Sequence, residues 1–382
     1  MPRRCWLPAL VCTMLGLSWQ LLTIHFNYGG NSTALFCTGS GYPPPPALAW
    51  ERIYVFPHST GYDGQFYHYV AHDPLYRNGI GRAVDDAALR YRRILIPGMA
   101  WLLAFGRQQW IDCTYFACNL AFLFLGARWL ARLLERFGWN IWFSVLYLIV
   151  PATLVSLDRM TVDLALTSLV LGFAFYTTTG SRRKMYVVLV LAALCRDTGF
   201  YLTLASVVPL LFRRRFRESA IMASAVVPAV GWNVLVSLRL PHGAVSASQW
   251  MPFGGWIAPW LHPAVYPFST AINTTVRAFD YVQLTGLLLA FVLGVWRWRE
   301  ARSSPIRTAC LLWAATGFLL PPLFQQDCYS SARVFTPLLL LEFLESLGER
   351  SRLPRLPLAM VAPRIWLQLT PQVLGVVRGL FL

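Results

Sequence analysis

The chain alternates long apolar runs with short clusters of basic residues. The apolar runs cover 6–24, 110–127, 139–157, 161–179, 185–196, 198–212, 218–238, 279–296, 307–324 and 332–347. They predict membrane-embedded helices, because a bilayer offers no water to satisfy exposed backbone groups. The tail 356–382 is also apolar, but Pro363, Arg364 and Pro371 interrupt it, so it is either an eleventh span or an interfacial helix. We predict an all-α polytopic membrane protein with about ten or eleven transmembrane helices, forming one integral membrane domain over 1–382.

The basic clusters give this topology a direction. Arg3 and Arg4 precede the first apolar run, and the other clusters follow every second run. These are Arg128, Arg132 and Arg136; Arg182, Arg183 and Lys184; Arg213, Arg214, Arg215 and Arg217; Arg297, Arg299 and Arg302; and Arg350, Arg352 and Arg355. The positive-inside rule places these clusters and the N-terminus in the cytoplasm. We read the first apolar run as a retained span, with a cleaved signal peptide as the alternative. The expected location is a bacterial inner membrane, with the opposite helix ends on its outer face.

Composition agrees with a membrane protein and removes one function class. The chain is 56% hydrophobic and 13% charged, with a mean hydropathy of +0.49, whereas soluble domains are about 25% charged. A net charge of +16 is also found in nucleic-acid-binding proteins. Here the basic residues lie between apolar runs, as membrane topology requires, so we expect the lipid bilayer and no nucleic acid as a partner.

Two predicted outer loops are long, 26–109 and 239–277. In the first, 83–90 and 94–105 have helical composition. The second of these segments is too short to span a bilayer, which favours a helix lying in the interface. Segment 61–74, GYDGQFYHYVAHDP, is a polar stretch just after the first apolar run. Asp63 in this stretch is a candidate for chemistry, although Asp-Gly is also typical of turns and helix N-termini.

The topology places charges of both signs on the outer side. They are Asp63, His72, Asp73, Arg90, Arg92, Arg93, Asp158, Arg159, Asp163, Arg196, Asp197, Asp327 and Arg333. A carboxylate can take a proton from an attacking hydroxyl, and arginines can hold a phosphate by forked hydrogen bonds. These residue types therefore fit a lipid-phosphate substrate at the outer interface.

Each of these candidates also has a purely structural interpretation. Arg92 and Arg93 can anchor an interfacial helix to lipid phosphates. Two pairs adjacent in sequence, Arg196 with Asp197 and Asp158 with Arg159, can be internal ion pairs that satisfy helix ends. His68 and His72, one helical turn apart, could present two metal ligands with Asp73 beside them, but no further ligand stands at a diagnostic spacing. We expect hydrogen-bonding or sugar-contacting roles for the histidines, and no cofactor.

Five segments resemble a known family. The pattern Asp-Gly-x-x-Tyr-x-x-Val-Ala, which begins at Asp63 and follows the aromatic Tyr62, is similar to the first-loop motif of GT-C-fold membrane glycosyltransferases. The likeness is greatest to PIG-V-like mannosyltransferases and bacterial cell-surface glycopolymer proteins. RYRRILIP (90–97), SLDRMTVDLALTSL (156–169), LCRDTGFYL (194–202) and YSSARVFTPLLL (329–340) resemble further elements of that family, in the same order. The paired Asp-Glu of protein O-mannosyltransferase-like members is absent at Asp63.

The resemblance implies a GT-C fold and an inverting hexosyl transfer from a polyprenyl-phosphate sugar to an envelope glycan or glycolipid. Asp63 would be the general base. The candidate substrate-binding residues are Tyr62, Gln65, His72, Asp73, Arg92, Arg93, Asp158, Asp163, Arg196, Asp197 and Arg333. Two other functions use the same charges: a transporter or flippase of lipid-linked glycans, which needs no base, and a scaffold without activity. No internal repeat of the kind found in many transporters is evident.

Overall fold

A computed structural model of the protein describes residues 5–240, 254–266, 269–318, 328–349 and 352–381, and most of these are helical. The α-helices are α1 Trp6–Tyr28, α2 Asp63–His72, α3 Ala87–Arg92, α4 Leu95–Leu103, α5 Ile111–Arg136, α6 Pro151–Arg159, α7 Asp163–Thr179, α8 Arg182–Cys195, α9 Phe200–Phe212, α10 Phe216–Ala223, α11 Val227–Arg239, α12 Gly254–Leu261, α13 Thr270–Trp296, α14 Pro305–Gly317, α15 Cys328–Glu349, α16 Leu356–Gln368 and α17 Thr370–Phe381. Two short parallel strands, β1 Thr38–Gly39 and β2 Val55–Phe56, pair in the first loop.

The described part of the chain contains four helical stretches long and apolar enough to cross a membrane. They are Trp6–Tyr28, Gln108–Arg136, Phe216–Arg239 and Thr270–Trp296. A fifth stretch joins the 3-10 helix Ile141–Ile149 to α6 across a bend of 52°. The bend lies where Pro151, which has no backbone N–H, starts the second helix. The protein is thus an all-α membrane protein, and the larger count of ten or eleven spans stays a prediction.

The first loop folds into short elements between α1 and α5. Helix α2 is buried from Gly64 to His72. The predicted helix over 94–105 is present as α4. The predicted helix over 83–90 is displaced: α3 starts only at Ala87, because the Asp86 side chain accepts a hydrogen bond from Leu89 N at 3.0 Å and caps it there.

The second predicted loop is shorter than its sequence indicated. Its residues 241–253, 267 and 268 lie outside the described part of the chain, but α12 occupies Gly254–Leu261 and α13 already begins at Thr270. Asp327 is likewise outside the described residues.

The C-terminal tail packs against the rest of the helices. The Arg364 side chain on α16 donates through Nε to Asp280 Oδ1 on α13 at 2.5 Å. The Asn27 side chain on α1 donates to the backbone oxygen of Gln372 on α17 at 3.0 Å, and α17 packs against α1. The tail is therefore two helices bound to α1 and α13.

Candidate functional site

Asp63 is the first residue of α2 and lies between two arginines. Arg90 Nη2 donates to Asp63 Oδ1 at 2.9 Å, and Arg333 Nη2 forms an ion pair with Asp63 Oδ2. Arg90 comes from α3, and Arg333 comes from α15, which is 270 residues further along the chain. The Asp63 carboxylate is therefore the meeting point of three elements, and it contacts these side chains rather than capping its own helix.

Arg333 connects Asp63 to a second pair of charges. Its Nη1 contacts Asp163 Oδ2 at 3.3 Å, and Asp163 also pairs with Arg196. Asp163 is the first residue of α7, and Arg196 directly follows α8. The sequence places these ends of α7 and α8 on the side of the membrane opposite to the basic clusters. Charges that were predicted to lie on one side therefore do contact one another.

A cavity of about 430 Å³ opens beside Asp63. Six of the predicted catalytic and substrate-binding residues line it: Tyr62, Asp63, Gln65, Arg93, Arg196 and Arg333. Arg90 and Asp85 line it too, so its wall holds four arginines and two carboxylates. Four arginines facing one cavity suit an anionic ligand, and arginine is the side chain best shaped to bind phosphate.

The arginines determine the protonation of Asp63 in this wall and of Tyr67, whose hydroxyl contacts Arg90 and Arg93. Burial acts to raise the pKa of Asp63, but the charges of Arg333 and Arg90 outweigh it and hold that pKa well below its usual range. Burial also acts to raise the pKa of Tyr67, yet Arg93 and Arg90 lower it. The Tyr67 hydroxyl accepts from Arg93 Nη1 at 2.9 Å, which accounts for this effect. Asp63 is thus a carboxylate at neutral pH.

Two of the predicted ligand-binding residues shape the cavity. The ring of Tyr62 lies under the Arg333 guanidinium, 4.8 Å from ring centroid to Cζ. The Gln65 side chain donates to Thr60 O at 2.8 Å and accepts from Gly39 N at 3.1 Å. Gln65 therefore joins α2 to the loop that forms the cavity rim.

The other predicted residues lie behind or away from this cavity. Asp197 contacts Arg93 Nε at 3.4 Å, whereas Arg196 pairs with Asp163, so the expected ion pair of Arg196 with Asp197 is wrong. Asp158 is buried and pairs with its neighbour Arg159 at 3.0 Å, as the structural interpretation expected. Arg92 is half-buried and does not line the cavity, although it precedes Arg93, which does.

The histidines form a separate cluster further along α2. His68 Nε2 lies 2.9 Å from Asp112 Oδ1 and 3.4 Å from Glu51 Oε1, and His72 Nε2 lies 3.2 Å from His68 Nε2. Burial acts to lower the pKa of His68, but Asp112 and Glu51 raise it to about 10. Asp73 is not in this cluster, because its carboxylate accepts from Arg77 N at 2.7 Å and Asn78 N at 2.8 Å.

Sequence reasoning missed part of both sites. Arg90 and Asp85 were not selected as binding residues, although Arg90 Nη2 contacts both Asp63 and Asp85. The charge of Arg90 next to Arg92 and Arg93 was the available signal. Glu51 and Asp112 gave no signal, since neither stands at a ligand spacing from the histidines.

Comparisons with protein-family profiles, with curated proteins and with solved structures find no match to this chain. Its function must therefore be argued from the site itself.

Proposed function

We propose that the protein is a membrane glycosyltransferase of GT-C type. It moves a hexose, with inversion, from a polyprenyl-phosphate donor to an envelope glycan or glycolipid. The observation that carries the proposal is a single carboxylate, Asp63, held between Arg90 and Arg333 in a cavity whose wall has more arginines than carboxylates. The ordered motif resemblance from Asp63 to Arg333 adds support.

The arginines have a clear role in this reaction. A polyprenyl-phosphate donor brings a phosphate that competes with Asp63 for Arg333 and Arg90. Forked hydrogen bonds to that phosphate stabilise the negative charge that grows on it as the sugar departs. Arg93 and Arg196 line the same cavity and supply further positive charge. The lipid chain would remain in the bilayer, beside helix ends that bear these side chains.

The role of Asp63 follows from the same competition. Once phosphate takes up the charge of the two arginines, the pKa of Asp63 rises toward that of an ordinary carboxyl group, and it can accept a proton. The acceptor hydroxyl then attacks the anomeric carbon while its proton passes to Asp63. The new bond joins acceptor oxygen to the sugar, the bond from sugar to phosphate breaks, and polyprenyl phosphate leaves with the electron pair.

A transfer assay tests this proposal. Membranes containing the protein are given polyprenyl-phosphate mannose, glucose or galactose with a labelled sugar, and label in acceptor material is measured. We expect Asp63→Asn to lower transfer by about 10²–10⁴-fold, the range for losing a general base. Glu300→Gln is the matched control, because Glu300 is about half exposed and pairs with Arg297 of a basic cluster and with Arg307 on α14, away from the cavity.

Two results would overturn the proposal. Full transfer by the Asp63→Asn protein, at equal expression, would remove Asp63 as the base. Movement of labelled donor across a reconstituted vesicle without any transfer would instead identify a transporter of lipid-linked glycans.

A further inference from the structure

The histidine cluster has the composition of a metal site. Glu51, His68, His72 and Asp112 each direct one ligand atom into a common space, and these atoms all lie within 4.8 Å of one another. Three separate segments contribute: the loop before β2, two successive turns of α2, and the first turn of α5. Both histidines are fully buried. Such convergence from distant segments differs from an acidic patch on a surface.

Several distances within the cluster are close to those around a small metal ion. Around a tetrahedral zinc ion with ligand bonds of about 2.0–2.2 Å, neighbouring ligand atoms lie roughly 3.3–3.6 Å apart. Here Asp112 Oδ1 lies 2.9 Å from His68 Nε2 and 3.3 Å from His72 Nε2. Glu51 Oε1 and Oε2 lie 3.4 Å and 3.8 Å from those same two nitrogens. The four side chains thus surround a space of the correct size.

The hydrogen bonds of His72 determine which of its two ring nitrogens is available to bind a metal. Gln108 Nε2 donates to the His72 backbone oxygen at 3.1 Å, which fixes the orientation of the Gln108 amide. Gln108 Oε1 must then accept from His72 Nδ1, at 2.6 Å. In neutral His72 the lone pair is therefore on Nε2 and faces His68 Nε2 and the Asp112 carboxylate. A second-sphere bond of this kind, on the far side of the ring, is typical of histidine ligands to metals.

His68 is oriented in the same direction. All its polar contacts in the described chain are made through Nε2, and Nδ1 has no hydrogen-bond partner there. The Phe36 ring stacks on the imidazole at 4.1 Å with an interplanar angle of 11°, which holds the ring in place. The one proton that His68 Nε2 can carry bonds only one of the acceptors around it, whereas a cation satisfies all four ligand atoms together.

We propose that Glu51, His68, His72 and Asp112 bind one zinc ion. Two neutral imidazoles and two carboxylates balance the charge of Zn²⁺, and nitrogen and oxygen donors suit this ion. All four positions are filled by the protein, as in structural zinc sites. The ion would fasten α2, which carries Asp63 at its other end, to the start of α5. It would bind whether or not the protein transfers a sugar.

Metal analysis of the purified full-length protein, carrying no polyhistidine tag, tests this site. We expect about one zinc per chain in the wild-type protein, and at least a tenfold fall in bound zinc for His72→Gln and for Asp112→Asn. His25→Gln is the matched control, because His25 is exposed on α1, and it should retain wild-type zinc. Equal zinc content in His72→Gln and wild type would mean an adventitious ion and overturn the proposal.

A second measurement keeps the proposal testable if the ligand variants do not fold. Wild-type protein stripped with a chelator should bind added Zn²⁺ and show a higher unfolding temperature, and Co²⁺ should give the intense visible absorption of a tetrahedral site. Gln108→Leu, which leaves every ligand in place, should weaken zinc binding about 10- to 100-fold. No binding of either ion by the stripped wild type, or unchanged affinity in Gln108→Leu, would contradict the site.

Discussion

Gly64 offers a sharp test of how α2 is packed. A methyl group built on its Cα would lie 2.0 Å from the backbone oxygen of Arg159 and 2.9 Å from that of Phe36, whereas ordinary contact begins at 3.4 Å. Gly64→Ala therefore requires backbone to move by more than an ångström at the start of α2. Overpacking of this kind costs about 1–3 kcal/mol or more, which exceeds the 0.5–1 kcal/mol that alanine gains over glycine in a helix.

The assay is thermal unfolding of the purified protein in detergent. We expect Gly64→Ala to lower the unfolding temperature by several degrees, and to lower sugar transfer, because Asp63 moves away from Arg333. The matched control is Gly231→Ala in α11, where an added methyl group meets nothing within 4 Å. This control should unfold at the wild-type temperature or slightly above it. If Gly64→Ala is as stable as the wild type, the close approach of α2 to Arg159 is refuted.

Three further predictions concern the charged groups. The folded pKa of Asp63 lies below its unfolded value of about 3.9, so its ion pairs stabilise the fold fully above about pH 4 and lose that contribution as the pH falls further. Asp63→Asn should therefore lower the free energy of unfolding by about 3 kcal/mol at pH 7. The difference in unfolding temperature between wild type and Asp63→Asn should become smaller below about pH 4, and a difference that does not change with pH would contradict this. Arg333→Lys keeps the positive charge but not the guanidinium that can donate two parallel hydrogen bonds, so sugar transfer should fall about tenfold or more. Unchanged transfer would exclude bidentate binding of the phosphate by Arg333. Arg364→Met removes the arginine that pairs with Asp280 and should lower the free energy of unfolding by about 3 kcal/mol. Adding Asp280→Asn should restore much of this stability in the double variant. If the two single losses simply add in the double variant, the pair is not coupled.

The sequence predicted helix positions well, for a physical reason. An apolar run bounded by charges can satisfy its backbone in a membrane only as a helix, so α5, α7 and α9 lie where hydropathy placed them. The bend before α6 was not predicted, although Pro151 was available as its signal. The short helices of the first loop are harder to predict from sequence. The start of α3, for example, depends on a single side-chain hydrogen bond that Asp86 accepts at the helix N-terminus.

The candidate site was predicted in part. Placing the basic clusters on one side brought Asp163, Arg196 and Arg333 to the other, and the structure pairs them. Partners that depend on the path of a loop could not be predicted. Asp73 adjoins His72 in sequence but bonds to the turn after α2, whereas Asp112 reaches the histidines from 40 residues away.

The most direct test of the central claim is a structure of the protein in lipid with a bound polyprenyl-phosphate hexose. We predict that the phosphate lies within hydrogen-bonding distance of Arg333, that the ion pair between Arg333 and Asp63 is opened, and that Asp63 faces the anomeric carbon. A phosphate bound elsewhere, with the Asp63–Arg333 pair intact, would contradict the account.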